Sequence, residues 1–127
     1  MHAIQVGEHG GPEVLRWVEL PDPEPGPGQL LVDLAAAGLN FIDTYMRSGL
    51  YPRPLPFVLG NEGAGTVAAV GPDVTGFAAG DRVAWTGVIG SYATKVLVPA
   101  AQALAVPDGA ASSAARAAAS ARSTART

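Results

Sequence analysis

The sequence predicts a mainly β protein with small helices, folded as a partly closed β-barrel. Three observations carry that prediction. Short apolar runs recur between glycine and proline turns, a single stretch has both helix-start and helix-stop signals, and no segment repeats with the period of a solenoid. At 127 residues the chain is the size of one domain. With 48% hydrophobic and 15% charged residues it can pack a core and is too poor in charge for general disorder, although much of the apolar share is alanine.

The elements follow in order. His2 to Val6 and Val14 to Leu20 read as the strands of a hairpin, because Gly7-Glu8-His9-Gly10-Gly11-Pro12 between them is dense in turn formers. Pro21-Asp22-Pro23-Glu24-Pro25-Gly26-Pro27-Gly28 alternates proline with other residues, which forbids helix and favours an extended connector along the outside of the domain. Gln29 to Ala37 is a strand, with Asp33 and Leu34 on opposite faces and Gly38 at its end.

Asn40 to Ser48 is the short helix. Asn40 can cap it, Asp43 lies in the first turn where the helix dipole favours an anion, and Gly49 can end it. Pro52, Pro54 and Pro56 then make a rigid loop. Thr66 to Val70 reads as a buried strand, Gly71-Pro72-Asp73 as a turn, and Phe77 to Trp85 as a turn at Gly80-Asp81 followed by a strand. Ser91 to Pro99 alternates like a half-exposed strand, and Leu104 to Pro107 closes the pattern.

Composition excludes several functions. There is no cysteine, so disulfides, thiolate zinc sites and cysteine nucleophiles are ruled out together, in keeping with a reducing compartment. The net charge of −3 gives no electrostatic case for nucleic acid or an anionic membrane. Met1 to Gly10 lacks the basic and apolar regions of a secretory signal, and no apolar run is long enough to span a bilayer. The expectation is a soluble, cytoplasmic protein. Residues 110–127 contain only Ala, Ser, Arg and Thr, with Arg116, Arg122 and Arg126 making the end basic while the body is acidic. This tail has no apolar stripe and is expected to be disordered: either a basic appendage or, the reading favoured here, an out-of-frame extension.

The motif with the most chemical content is Leu59-Gly60-Asn61-Glu62-Gly63-Ala64-Gly65-Thr66-Val67. A dinucleotide-binding glycine loop is the first reading to test, and it fails. Gly63-Ala64-Gly65-Thr66-Val67-Ala68 lacks the third glycine and leads into a strand instead of opening a helix. Turn chemistry feeding the next strand accounts for Glu62 and the glycines. His2 and His9 have no nearby ligand set and read as surface residues, and Asp81-Arg82 reads as a turn and a solvated or paired strand residue.

The order Ala36-Ala37-Gly38-Leu39-Asn40-Phe41-Ile42-Asp43, proline loop, Leu59 to Val67, and Gly80-Asp81-Arg82-Val83 resembles the N-terminal GroES-like part of a medium-chain dehydrogenase/reductase. In the zinc alcohol dehydrogenases of that superfamily a cysteine stands at the place of Asn40, and Gly-His-Glu at the place of Gly60-Asn61-Glu62. Amides here replace both zinc donors, and an amide is a poor zinc ligand. Asn40-Phe41-Ile42-Asp43-Thr44-Tyr45 with Arg47-Ser48-Gly49-Leu50-Tyr51-Pro52 narrows the resemblance to the zinc-independent quinone oxidoreductase branch that includes zeta-crystallin. It covers residues 1–109, taken as the catalytic domain.

That resemblance implies hydride transfer from NADPH to a quinone or related activated carbonyl, without zinc. It implies that Asn40, Phe41, Ile42, Asp43, Thr44 and Tyr45 border the cofactor, and that Asn40, Asp43, Tyr45 and Tyr51 line the catalytic cleft. A homodimer is the assembly it allows for the full-length family. The family holds NADPH mainly through a Rossmann domain after this part, and nothing after Val106-Pro107-Asp108-Gly109 supplies one. The isolated chain is therefore expected to have an uncovered face, bind NADPH weakly and show little activity. The alternative is a stand-alone GroES-like module that binds a partner or small apolar ligand without catalysis. Asn40 and Asp43 also suffice as helix-start residues, and Tyr45 and Tyr51 as packing or loop anchors.

Overall fold

The computed structural model describes residues 1–107. The expected tail at 110–127, and the domain end at Gly109, lie outside the described residues. The strands are β1 (His2–Val6), β2 (Leu15–Glu19), β3 (Gln29–Ala37), β4 (Phe57–Val58), β5 (Glu62–Val70), β6 (Arg82–Thr86), β7 (Lys95–Pro99) and β8 (Leu104–Ala105), with the helix α1 (Phe41–Ser48) between β3 and β4. The fold is mainly β, as the apolar runs predict. No described helix is long and apolar enough to cross a membrane.

The strands form two antiparallel sheets, one in the order β2-β1-β4 and the other β7-β3-β5-β6-β8. They do not close into a full barrel. They are joined along a seam at residues 92–94, which replaces the first half of the strand expected from Ser91. There the Ile4 N–H donates to the Tyr92 carbonyl at 2.9 Å, the Thr94 N–H to the His2 carbonyl at 2.8 Å, and the Leu34 N–H to the Thr94 carbonyl at 3.0 Å. The seam thus hydrogen-bonds β1 on one side and β3 on the other, which is how the barrel comes to be partly closed.

Three apolar clusters result among the described residues, the least of them Ala64 with Ala84. Of the other two, the larger lies inside the five-stranded sheet and is built from alternating inward residues, among them Leu30 and Val32 of β3, Val83 and Trp85 of β6, and Val96 and Val98 of β7. Trp85 is completely buried, and its indole N–H donates to Ser91 Oγ at 2.9 Å. Ser91 Oγ donates onward to the Val88 carbonyl at 2.6 Å, so the polar atoms of this core are satisfied. The smaller cluster, Val6, Val14, Met46, Phe57 and Leu59, seats α1 on the three-stranded sheet. Val14 belongs to a single 3-10 turn, Pro12–Val14, and not to β2 as expected; proline at the start of that turn shortens the strand.

Two further expectations are corrected. The proline loop is followed directly by β4, a two-residue strand on β1 that the sequence reading did not assign and whose Phe57 is buried. And β5 begins at Glu62, so Gly63 and Gly65 are strand residues and not a turn. They are needed because β3 and β5 bulge against each other between Leu31 and Val32 and between Leu34 and Ala36. A Cβ on Gly65 would run into the Asp33 carbonyl, and one on Gly63 would sit 3.0 Å from the Ala36 carbonyl and 2.9 Å from Trp85. The turn itself is made at Gly60, whose φ of 104° lies in the left-handed region.

Two stability measurements follow from this core. Ser91→Ala strands the Trp85 N–H in an apolar interior and should lower unfolding free energy by about 1–3 kcal/mol in urea titrations; a loss within error would mean that the indole finds another acceptor. Gly65→Ala forces backbone displacement between β3 and β5 and should cost about 1–3 kcal/mol or more by the same assay, with wild-type stability refuting the close approach.

Candidate functional site

The site begins at the turn from β3 into α1. Asn40 has extended backbone angles, φ −134° and ψ 152°, and the chain becomes helical at Phe41. Asp43 reaches back so that its Oδ2 accepts the Asn40 N–H at 3.0 Å, while the Asp43 N–H donates to the Asn40 carbonyl at 3.1 Å. The helix stops at Gly49, which adopts φ 91° and donates its N–H to the Met46 carbonyl. Met46 and Ile42 face the smaller cluster. Phe41 and Tyr45, four residues apart, therefore share the outward face.

That face is apolar and open. Leu39 is 87% exposed, Phe41 83%, Leu50 64% and Tyr51 52%. Tyr45 and Tyr51 meet edge to face with ring centroids 5.6 Å apart, and the Tyr51 N–H donates to the Tyr45 carbonyl, so the two rings are held as a pair. A depression of about 360 Å³ is lined by Leu39, Asn40, Phe41 and Thr44. A second, of about 450 Å³, shares Leu39 and runs over Leu15, Trp17, Leu34, Ala37 and Tyr92.

Behind the rim the chemistry is ionic. Asp43 is only 5% exposed and Glu62 only 2%. The Tyr92 hydroxyl donates to Asp43 Oδ2 and has the Gly38 carbonyl 3.1 Å away as a second acceptor. Burial, then the hydrogen bond to Asp43, then the negative charges of Asp43 and Glu62, push the Tyr92 phenol well above its usual range. It stays protonated and acts as a donor. Two polar atoms at the site are buried without a partner: Asn40 Nδ2 and Asp43 Oδ1.

The structure thus sorts the residues singled out in the sequence. Asn40, Phe41, Thr44, Tyr45 and Tyr51 surround the open rim, with the Thr44 hydroxyl already donating to the Phe41 carbonyl at 2.6 Å. Ile42 points to the cluster beneath, and Asp43 lies inside as the anchor of the helix start. Asn61, in the motif, uses its carbonyl to accept the Val88 N–H at 3.1 Å. No three of the described His, Asp or Glu side chains converge as a metal-binding group. His2 stacks on Trp17 with centroids 5.3 Å apart, and the His9 ring lies under Gly49 with Nδ1 buried, so His9 is more enclosed than a surface residue.

Sequence reading missed Tyr92, Trp17 and the burial of Glu62. Tyr92 lies 49 residues from Asp43 in the chain, and strand alternation alone gives no sign of that contact.

Residues 26–108 match the alcohol dehydrogenase GroES-like domain family. The quinone oxidoreductase of Pseudomonas aeruginosa is 52% identical over 108 residues, which are 84% of this chain and 33% of that protein. Among solved structures, a mycobacterial protein complexed with NADPH superposes with a TM-score of 0.88 at 52% identity, covering 91% of this chain and 37% of the other. The Escherichia coli quinone oxidoreductase complexed with NADPH superposes with a TM-score of 0.89 at 42% identity, covering 92% and 36%. The chain spans about a third of the length of the curated relatives it matches. It belongs to the alcohol dehydrogenase GroES-like domain family, and over this N-terminal part it is similar to quinone oxidoreductases.

Proposed function

We propose that this chain forms the substrate-side portion of an NADPH-dependent quinone oxidoreductase that works without zinc in the cytoplasm. The observation that carries the reading is the pairing of an open aromatic rim, Phe41, Tyr45 and Tyr51, with the buried, unpartnered Asn40 Nδ2 beside it. An aromatic rim next to an unused amide donor fits a flat ring bearing a carbonyl or carboxamide. Both the nicotinamide of NADPH and a quinone have that form. NADPH, when bound, supplies the hydride for the carbonyl substrate.

The chain's own residues have narrower tasks. Tyr45 and Tyr51, fixed edge to face, offer ring faces and hydroxyls that orient a planar substrate and keep water from it. Asn40 Nδ2 offers a hydrogen bond to an oxygen on which charge develops. Phe41 and Leu39 give apolar walls to the depression that Asn40 shares with them. Asp43 holds the Asn40 backbone in register. The zinc-independent reading rests on donor chemistry: the sequence holds no cysteine, and Asn40 and Asn61 provide amides.

A chimera tests this directly. Residues 1–107 replace the matching first third of the Pseudomonas aeruginosa quinone oxidoreductase, and quinone-dependent NADPH oxidation is followed. The chimera should turn over, Asn40→Ala should lower kcat by about 100-fold, and Tyr45→Ala should lower kcat/KM by about tenfold or more. A folded chimera that binds NADPH yet reduces neither quinones nor enones would overturn the proposed reaction. The 127-residue polypeptide alone should bind NADPH weakly and give little turnover; micromolar binding with turnover would overturn the division of labour assumed here.

A further inference from the structure

We infer that Tyr92 is a positioning residue for the reaction, acting through Asp43 and Gly38 on the turn that presents Asn40 and Phe41. The inference rests on the proposed function for its catalytic use, but the clamp itself is a matter of geometry. The Tyr92 hydroxyl donates to Asp43 Oδ2, which also accepts the Asn40 N–H at 3.0 Å, and it lies 3.1 Å from the Gly38 carbonyl. Gly38 is held on its other side by its N–H, which donates to the Glu62 carbonyl at 3.1 Å. One phenol therefore reaches the start of the three-residue turn Gly38-Leu39-Asn40 directly and its end through Asp43.

From outside its own elements that turn is held by the Tyr92 hydroxyl and by the Glu62 carbonyl of β5. Leu39 is 87% exposed and cannot anchor it by packing. Without the hydroxyl, Asp43 would lose one of the two donors on Oδ2, while its Oδ1 already lacks a partner. The carboxylate would then be free to rotate away from the Asn40 N–H, and the Asn40 side chain and Phe41 ring would lose a fixed direction. Tyr92 also lines the larger depression through its ring, yet its hydroxyl is spent on the turn. The groups that face the phenol are the carboxylates of Asp43 and Glu62, and both keep its proton in place.

Tyr92→Phe keeps the ring and removes only the clamp. In the 127-residue chain, amide hydrogen exchange at Asn40 should accelerate by about tenfold or more, while Val32 and Trp85 in the larger core stay within about twofold. Unchanged exchange at Asn40 in the folded variant would overturn the inference. Should Tyr92→Phe unfold the chain, Asp43→Asn serves instead, because a neutral amide oxygen accepts the Tyr92 and Asn40 donors more weakly than the carboxylate does; wild-type protection at Asn40 in that variant would equally overturn it. In the chimera, Tyr92→Phe should lower kcat by about tenfold with KM for NADPH within about twofold, whereas a merely structural role would change neither at constant folded fraction. Faster Asn40 exchange with unchanged kcat in an active chimera would overturn the positioning role. A wild-type chimera without activity would count against the proposed function, and the exchange measurement would then decide the clamp alone.

Discussion

Three residues, Tyr92 to Thr94, have to serve two sheets at once. Their backbone takes the Ile4 N–H and gives the Thr94 N–H to β1, and it takes the Leu34 N–H from β3. The Tyr92 N–H adds a bond to the Leu59 carbonyl at 2.9 Å, just before the motif turn. In a regular antiparallel strand a residue's N–H and C=O face the same neighbour, whereas the Thr94 N–H goes to β1 and its carbonyl to β3. The irregular seam therefore sets the angle between the sheets, and the Tyr92 side chain carries that placement to α1. The geometry of Gly60 belongs to the same constraint. Its left-handed φ of 104° lets the backbone pass so close to Tyr92 that any Cβ would strike the Tyr92 main chain.

Placing two carboxylates behind this seam is costly in isolation, because buried charge loses hydration. Asp43 offsets part of that cost with two donors on Oδ2 and with its place in the first turn of α1, where the positive end of the helix dipole lies. What the protein gains is a helix start whose direction is specified by polar contacts with definite angles. Apolar packing would hold the helix down without fixing how it enters. That difference matters at this element because Met46 and Ile42 supply its only apolar seat among the described clusters, and α1 has just eight residues.

The sequence was legible wherever the determining interaction is local. Gln29 to Ala37 is a strand to the residue, and Asn40, Asp43 and Gly49 delimit the helix as their capping chemistry requires. The open rim was legible for the same reason, since Phe41, Tyr45 and Tyr51 ride on that helix and its exit. Long-range constraints were not. The glycines after Glu62 have ordinary turn composition, and only the bulged pairing with β3 shows that they are there for want of a Cβ. β4 hides behind the prolines because two residues suffice to pair with β1. Glu62 looked like a turn acid; its burial depends on β3 and β6 flanking β5, which no local pattern encodes.

The charges around the site are arranged so that none is left at the rim. Between Leu39 and Tyr51 the chain carries two ionisable charges: Asp43, held inside, and Arg47, whose Nε donates to the Gly10 carbonyl at 3.2 Å. What faces outward is aromatic edges and faces and aliphatic surface, with the Asn40 amide nitrogen buried just behind them. Such a surface has no formal charge with which to attract an ionic ligand, and the acids behind it act against an anion. It discriminates by shape and by a single directed hydrogen bond, which suits a flat, neutral carbonyl compound. Direction is then the quantity that must be conserved within the structure, because one hydrogen bond aimed badly contributes little. This is why the ionic contacts were placed at the root of the turn, where they hold its geometry, and kept away from its tip, where they would compete with the ligand.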